Sequence, residues 1–161
     1  MTRLQRMKGN PMKTEINGND VTFTRRLKAK RERVFDAWTD PRKVESWWGC
    51  AQTTSVRSTI ELHVGGRYHH DMTLEGGHEY PVAGIIDELI IPEKLVYTVQ
   101  CEPMEGFKMP AQITTTVLFI EDGDETEIRL TMSDIADSGL KDIVGGGWAA
   151  AFEKLEKQIE N

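Results

Sequence analysis

From Val21 to Met132 the apolar residues mostly recur at every second position, the spacing that gathers them on one face of extended chain and leaves the other polar. Val21, Phe23 and Leu27 alternate with Thr22, Thr24, Arg26 and Lys28, and Arg25 interrupts the apolar face. Val56 and Ile60 continue the pattern against Arg57, Thr59 and Glu61, and after Gly65-Gly66 the residues Tyr68, His70 and Met72 alternate with Arg67, His69 and Asp71. Gly76-Gly77 turns the chain into a strand over 82–91, and Pro92-Glu93-Lys94 turns it into Leu95, Tyr97, Val99 and Cys101. Residues 104–110 read as a loop, and the acidic turn 121–124 joins strands over 113–120 and 128–132.

Two breaks in this period of two predict helices. Val34, Phe35 and Trp38 share one side of a first short helix. Asp40 is placed to cap a second, Pro41 to open it and Gly49 to stop it, with Val44, Trp47 and Trp48 between them. At the far end Leu140, Ile143, Val144, Trp148, Ala151, Phe152, Leu155 and Ile159 recur at three and four, which predicts a long amphipathic helix. Gly145-Gly146-Gly147 sits inside that pattern although each helical glycine costs ~1 kcal/mol relative to alanine. Either the helix proper begins near Gly147, or a close approach to the sheet or a ligand compensates. The result is an α+β fold: a curved antiparallel sheet, six of its strands following the helix pair, gripping the terminal helix. Residues 1–19 have no apolar period and are expected to be a flexible tail, with 20–161 forming one domain.

Composition narrows the function. A chain of 161 residues with 20 basic and 26 acidic side chains carries a net charge of −6, and no basic stripe marks a nucleic-acid surface. No apolar run is long enough for a membrane span and no secretory signal opens the sequence, so a cytoplasmic location is expected. Cys50 and Cys101 read as free buried thiols. No nucleophile motif is present, and His63, His69, His70 and His78 follow no metal-ligand spacing, so neither catalytic residues, nor a metal, nor a cofactor is assigned.

The residues 34–41 (Val-Phe-Asp-Ala-Trp-Thr-Asp-Pro), Trp47-Trp48-Gly49, Gly65-Gly66-Arg67-Tyr68, Tyr80-Pro81-Val82-Ala83-Gly84 and Gly147-Trp148 resemble the START-like helix-grip superfamily. Within it they are similar to the branch named for the activator of the heat-shock protein 90 ATPase (homologue 1-like). The resemblance spans about 22–158 and implies a deep cavity between the sheet's concave face and the long helix. Ala29-Lys30 replaces an alanine-proline pair common in the family, and His70 stands where the family commonly has an aromatic or aliphatic residue.

Inward alternation and aromatic content give the candidate ligand-binding residues Trp48, Tyr68, His70, Met72, Tyr97, Met132, Trp148 and Phe152. His70 either finds a hydroxyl, carbonyl or water as partner or meets a ligand. Three functions compete. The first is non-catalytic binding of a small hydrophobic or amphipathic molecule. The second is a co-chaperone-like interaction module with a chaperone partner. The third is a cyclase-like or hydrolytic enzyme using His70 with Tyr68 or Tyr97 for proton transfer.

Overall fold

The computed structural model describes residues 12–103 and 105–160. Its strands are β1 (Lys13–Asn17), β2 (Asp20–Leu27), β3 (Thr53–Ile60), β4 (Arg67–Leu74), β5 (Glu79–Ile90), β6 (Lys94–Gln100), β7 (Gln112–Asp122) and β8 (Glu125–Met132). Helices α1 (Arg31–Thr39) and α2 (Pro41–Val44) lie between β2 and β3, and α3 (Lys141–Glu160) follows β8. All strands join one antiparallel sheet in the order β1-β2-β8-β7-β6-β5-β4-β3. This is the α+β helix-grip architecture expected from the sequence.

Alternation explains the sheet. Along β7, Ile113, Thr115, Val117 and Phe119 are buried, while the residues between them are partly exposed. The outward face is polar and linked across strands: the Thr98 and Thr114 hydroxyls lie 2.9 Å apart, and those of Thr22 and Thr131 2.8 Å apart. Register shifts between Thr53 and Ser55 in β3 and between Ile86 and Glu88 in β5 bend the half of the sheet that carries the candidate site.

Three sequence expectations need correction. The predicted tail contains β1, which pairs with β2 from Lys13↔Thr24 to Asn17↔Asp20 and makes the sheet eight-stranded. Every β1 side chain is exposed. Its pairing is a matter of backbone hydrogen bonds and leaves no hydrophobic period in the sequence. The rest of the predicted tail, residues 1–11, lies outside the described residues. Secondly, α2 stops at Val44, and Trp47 and Trp48 follow in a turn in which both backbone N–H groups donate to the Val44 carbonyl. Asp40 does cap this helix, accepting from the Arg42 N–H at 3.0 Å. Thirdly, α3 begins at Lys141 and runs through all three glycines. Neither alternative accounts for the run: a Cβ on Gly145 would sit 3.4 Å from the Phe23 ring and one on Gly147 3.8 Å from Cys50, both ordinary van der Waals contacts, and one on Gly146 would meet nothing within 4 Å.

The two halves of α3 differ. Residues 151–160 bury Ala151, Phe152, Leu155 and Ile159, whereas no residue of 141–150 is fully buried. The helix packs on β2 and α1. Arg25, the charged residue on the inner face of β2, forms an ion pair with Glu156. Gln158 donates to the Lys43 carbonyl at 2.9 Å, which ties the end of α3 to α2.

Two stability measurements follow. Phe152 is fully buried, so Phe152→Ala should lower unfolding free energy by about 3–5 kcal/mol in a denaturant titration. Gly146 faces open space, so Gly146→Ala should raise it by about 0.5–1 kcal/mol. A loss from the second substitution would show that the glycine run is not a weak point of the helix.

Candidate functional site

The end of α1 fixes the site. A helix leaves its last carbonyls without intrahelical partners, and here they face the interior. The Trp47 indole donates to the Ala37 carbonyl at 2.9 Å, and the Tyr68 hydroxyl of β4 donates to the Trp38 carbonyl at 2.8 Å. These bonds place Trp38 against Trp47, Trp48, Phe119 and Trp148, with ring centroids 4.6–6.4 Å apart. Gly49, at φ +97°, then turns the chain away from Trp48. A side chain there would lie 2.5 Å from the Thr53 hydroxyl and 2.9 Å from the Met72 sulfur.

Seven of the eight candidate residues meet through ring contacts or one polar contact to sulfur. Trp48 lies against His70 with centroids 3.9 Å apart, and Tyr68 meets His70 edge-on at 4.5 Å. Trp48 contacts Trp148 at 5.3 Å, Trp148 contacts Phe152 at 5.6 Å, and the Trp148 indole N–H points at the Met132 sulfur at 3.4 Å. Tyr68 and Tyr97 approach to 4.7 Å. Met72 stands at the edge, half-buried, where its sulfur accepts from Thr53 at 3.8 Å. Trp48, Tyr68, His70, Tyr97 and Phe152 are buried, whereas Met72, Met132 and Trp148 are partly exposed.

Two participants were missed. Gly84 sits opposite Tyr68 in the β4–β5 register, and a Cβ there would fall 2.8 Å from the Tyr68 carbonyl and 3.1 Å from the Tyr97 ring. The two tyrosines meet over this gap. Ser58, paired with His70 across β3 and β4, places its hydroxyl 2.8 Å from His70 Nδ1. Its position between Val56 and Ile60 on an otherwise apolar face was a readable signal. The Ser58 N–H, on the open edge of β3, donates to the Glu45 carboxylate at 2.9 Å.

His70 points into the interior, as expected, and is 0% exposed. Ser58 satisfies Nδ1, while buried Nε2 has no partner among the described residues. Burial, with a smaller contribution from His69, lowers its pKa from 6.5 to about 3, so the ring is neutral at neutral pH. Burial raises the Tyr68 and Tyr97 phenols above their usual range, opposed in Tyr97 by a hydrogen bond with Thr115. Lys154, reaching from α3 to the Trp48 and Cys50 carbonyls at 3.3 and 3.5 Å, is lowered by burial.

Two clefts lie away from this cluster. One of about 460 Å³ is bordered by Cys101, Pro103, Phe107 and Met109 in the β6–β7 loop, and one of about 180 Å³ by Arg33, Ala37, Lys43, Gln158 and Ile159. None of the eight candidates lines either. Cys50 and Cys101 are free and half-buried. Among the described residues no three His, Cys, Asp or Glu side chains gather as a metal site, and no helix is long and apolar enough to cross a membrane.

The family model described as activator of Hsp90 ATPase homolog 1-like protein matches residues 28–160. The chain belongs to that family. Domains of this activator-like family serve in general as ligand-binding or interaction modules. No curated protein matches the chain. Among solved structures it is similar to a protein from Chromobacterium violaceum, at 21% identity over 90% of this chain and 99% of that one, with a TM-score of 0.77. A protein from Nitrosomonas europaea gives 19%, 90%, 97% and 0.75, and CalU16 from Micromonospora echinospora 21%, 93%, 84% and 0.61, in the same order. At these identities the likeness concerns the fold alone.

The His70 environment predicts a pH effect. Between pH 6.5 and about 3 the unfolded chain holds an imidazole proton that the folded chain lacks, so stability falls as the pH falls. His70→Phe should remove up to about 1.4 kcal/mol per pH unit from that slope. At pH 7 the change should be small, because half-buried Ser58 can turn to water. Denaturant titrations between pH 4 and 7 measure both; equal slopes would mean that His70 is protonated in the fold.

Proposed function

We propose that the chain is a non-catalytic binding protein for a small hydrophobic or amphipathic molecule, held where the His70 cluster meets the first half of α3. The observation that carries this reading is the unpartnered, fully buried Nε2 of His70 amid aromatic rings. A buried polar atom without a hydrogen bond costs about 1–3 kcal/mol, and a ligand that supplies the bond recovers that energy on binding. Apolar walls with one polar group also have the composition of small-molecule sites.

Room for the ligand comes from Trp148. This ring stacks on Trp38 with an interplanar angle of 17°, yet it is partly exposed and follows three glycines on the less buried half of α3. A shift of this half-helix moves Trp148 from Trp48 while Phe152 and Leu155 hold the rest in place. Met132 meets Trp148, and Val82, Val99 and Met72, all partly buried, pack against the same core. His70 orients the ligand in this reading. With a pKa of about 3 it is too weak a base to act as a proton acceptor at neutral pH.

Native mass spectrometry and solvent extraction of the purified protein test the proposal. A co-purifying small molecule, or saturable uptake of an apolar fluorophore that Trp148→Ala alters, is the expected result. Failure to take up any small molecule, together with tight association with a chaperone, would replace it with the interaction-module reading.

A further inference from the structure

Resting on that reading, we propose that the ligand is a flat, uncharged aromatic molecule carrying a hydroxyl group, with the hydroxyl bonded to Nε2 of His70. Two features of the cluster define this class: the nature of its walls and the absence of an available charge.

The walls are ring faces and edges. Trp48, Tyr68, Tyr97, Trp148 and Phe152 meet at centroid distances of 4.7–6.2 Å, in tilted and edge-on arrangements. Another ring inserted beside Trp148 finds the same edge-to-face and offset contacts, which are favourable beyond area burial; an alkyl chain gains the area only.

The polar group has a defined character. The Ser58 hydroxyl can donate to Nδ1 or accept from it, so Nε2 presents either a proton or a lone pair. A ligand hydroxyl complements both forms, while a carbonyl suits only one. Among the described residues the two cations that reach the interior beside the cluster already have partners: Arg25 is paired with Glu156, and Lys154 bonds the carbonyls of Trp48 and Cys50. The imidazole itself is neutral. A buried carboxylate would therefore lose its hydration without gaining a charged partner.

Matched probes decide the matter by calorimetry on the wild-type protein at pH 7: 2-naphthol, 2-naphthoate, naphthalene and 1-decanol. 2-Naphthol should bind at least about tenfold more tightly than each of the others, the size of one buried hydrogen bond. It should also shift the His70 Nε2 resonance in nitrogen-15 spectra, and His70→Phe should reduce its advantage over naphthalene to less than about threefold. The primary comparison uses wild-type protein, so it does not depend on the variant folding. Naphthoate binding as tightly as naphthol would overturn the uncharged assignment, decanol doing so the aromatic one, and an unmoved Nε2 resonance the contact with His70. If none of the four binds, the small-molecule reading itself fails.

Discussion

The fold depends on the way the last carbonyls of α1 are satisfied. Helix ends normally turn to water or to a glycine cap, but Ala37 and Trp38 are buried and accept instead from an indole and a phenol. The donors come from different places, Trp47 from the turn after α2 and Tyr68 from the middle of β4. Two hydrogen bonds of ordinary strength therefore fix the helix pair relative to the sheet and bring their rings together. Trp38 cannot move without unpairing a buried carbonyl, and its ring supports Trp48 and Trp148. The aromatic cluster is a consequence of this polar constraint as much as of hydrophobic burial.

The same constraint accounts for what was legible in the sequence. Period and capping signals located β2 to β8, both short helices and the terminal helix, because those elements bury one face and the sequence records which. β1 buries nothing, and its strand character lay in backbone pairing that no side chain announces. His70 was readable as inward from its alternation with Tyr68 and Met72, and Ser58 could have been read in the same way. Gly84 could not, since its role arises from a cross-strand register that sets it beside Tyr68 and from the Tyr97 ring that enters its missing Cβ volume. Alternation also identifies the residues that face inward without showing how far they fill the space. Here seven of the inward candidates meet one another, and the clefts described lie elsewhere.

In the proposed reading, His70 is what distinguishes a site from ordinary core. Trp38 Nε1 is likewise buried without a partner, but an indole is donor-only, whereas an imidazole can present either a proton or a lone pair. A phenylalanine in place of His70 would leave an aromatic core with no polar demand there. With histidine, the interior contains a neutral ring held on one side by Ser58 and unsatisfied on the other. The resulting penalty is borne by the folded protein and can be returned only by something that reaches Nε2.

In the proposed reading, access to that atom follows from the uneven construction of α3. Residues 151–160 carry the buried side chains, the ion pair to Arg25 and the Gln158 bond to α2. Residues 141–150 carry three glycines, each weakening the helix by ~1 kcal/mol relative to alanine. Displacing the first half alone gives up the partly buried contacts of Val144 and Trp148. A ligand that, in the proposed reading, replaces those contacts and completes the His70 hydrogen bond offsets that loss. On the same reading the glycine run and the unpaired imidazole, joined through Trp148 and Trp48, act together: the first admits a ligand and the second gives it a polar partner.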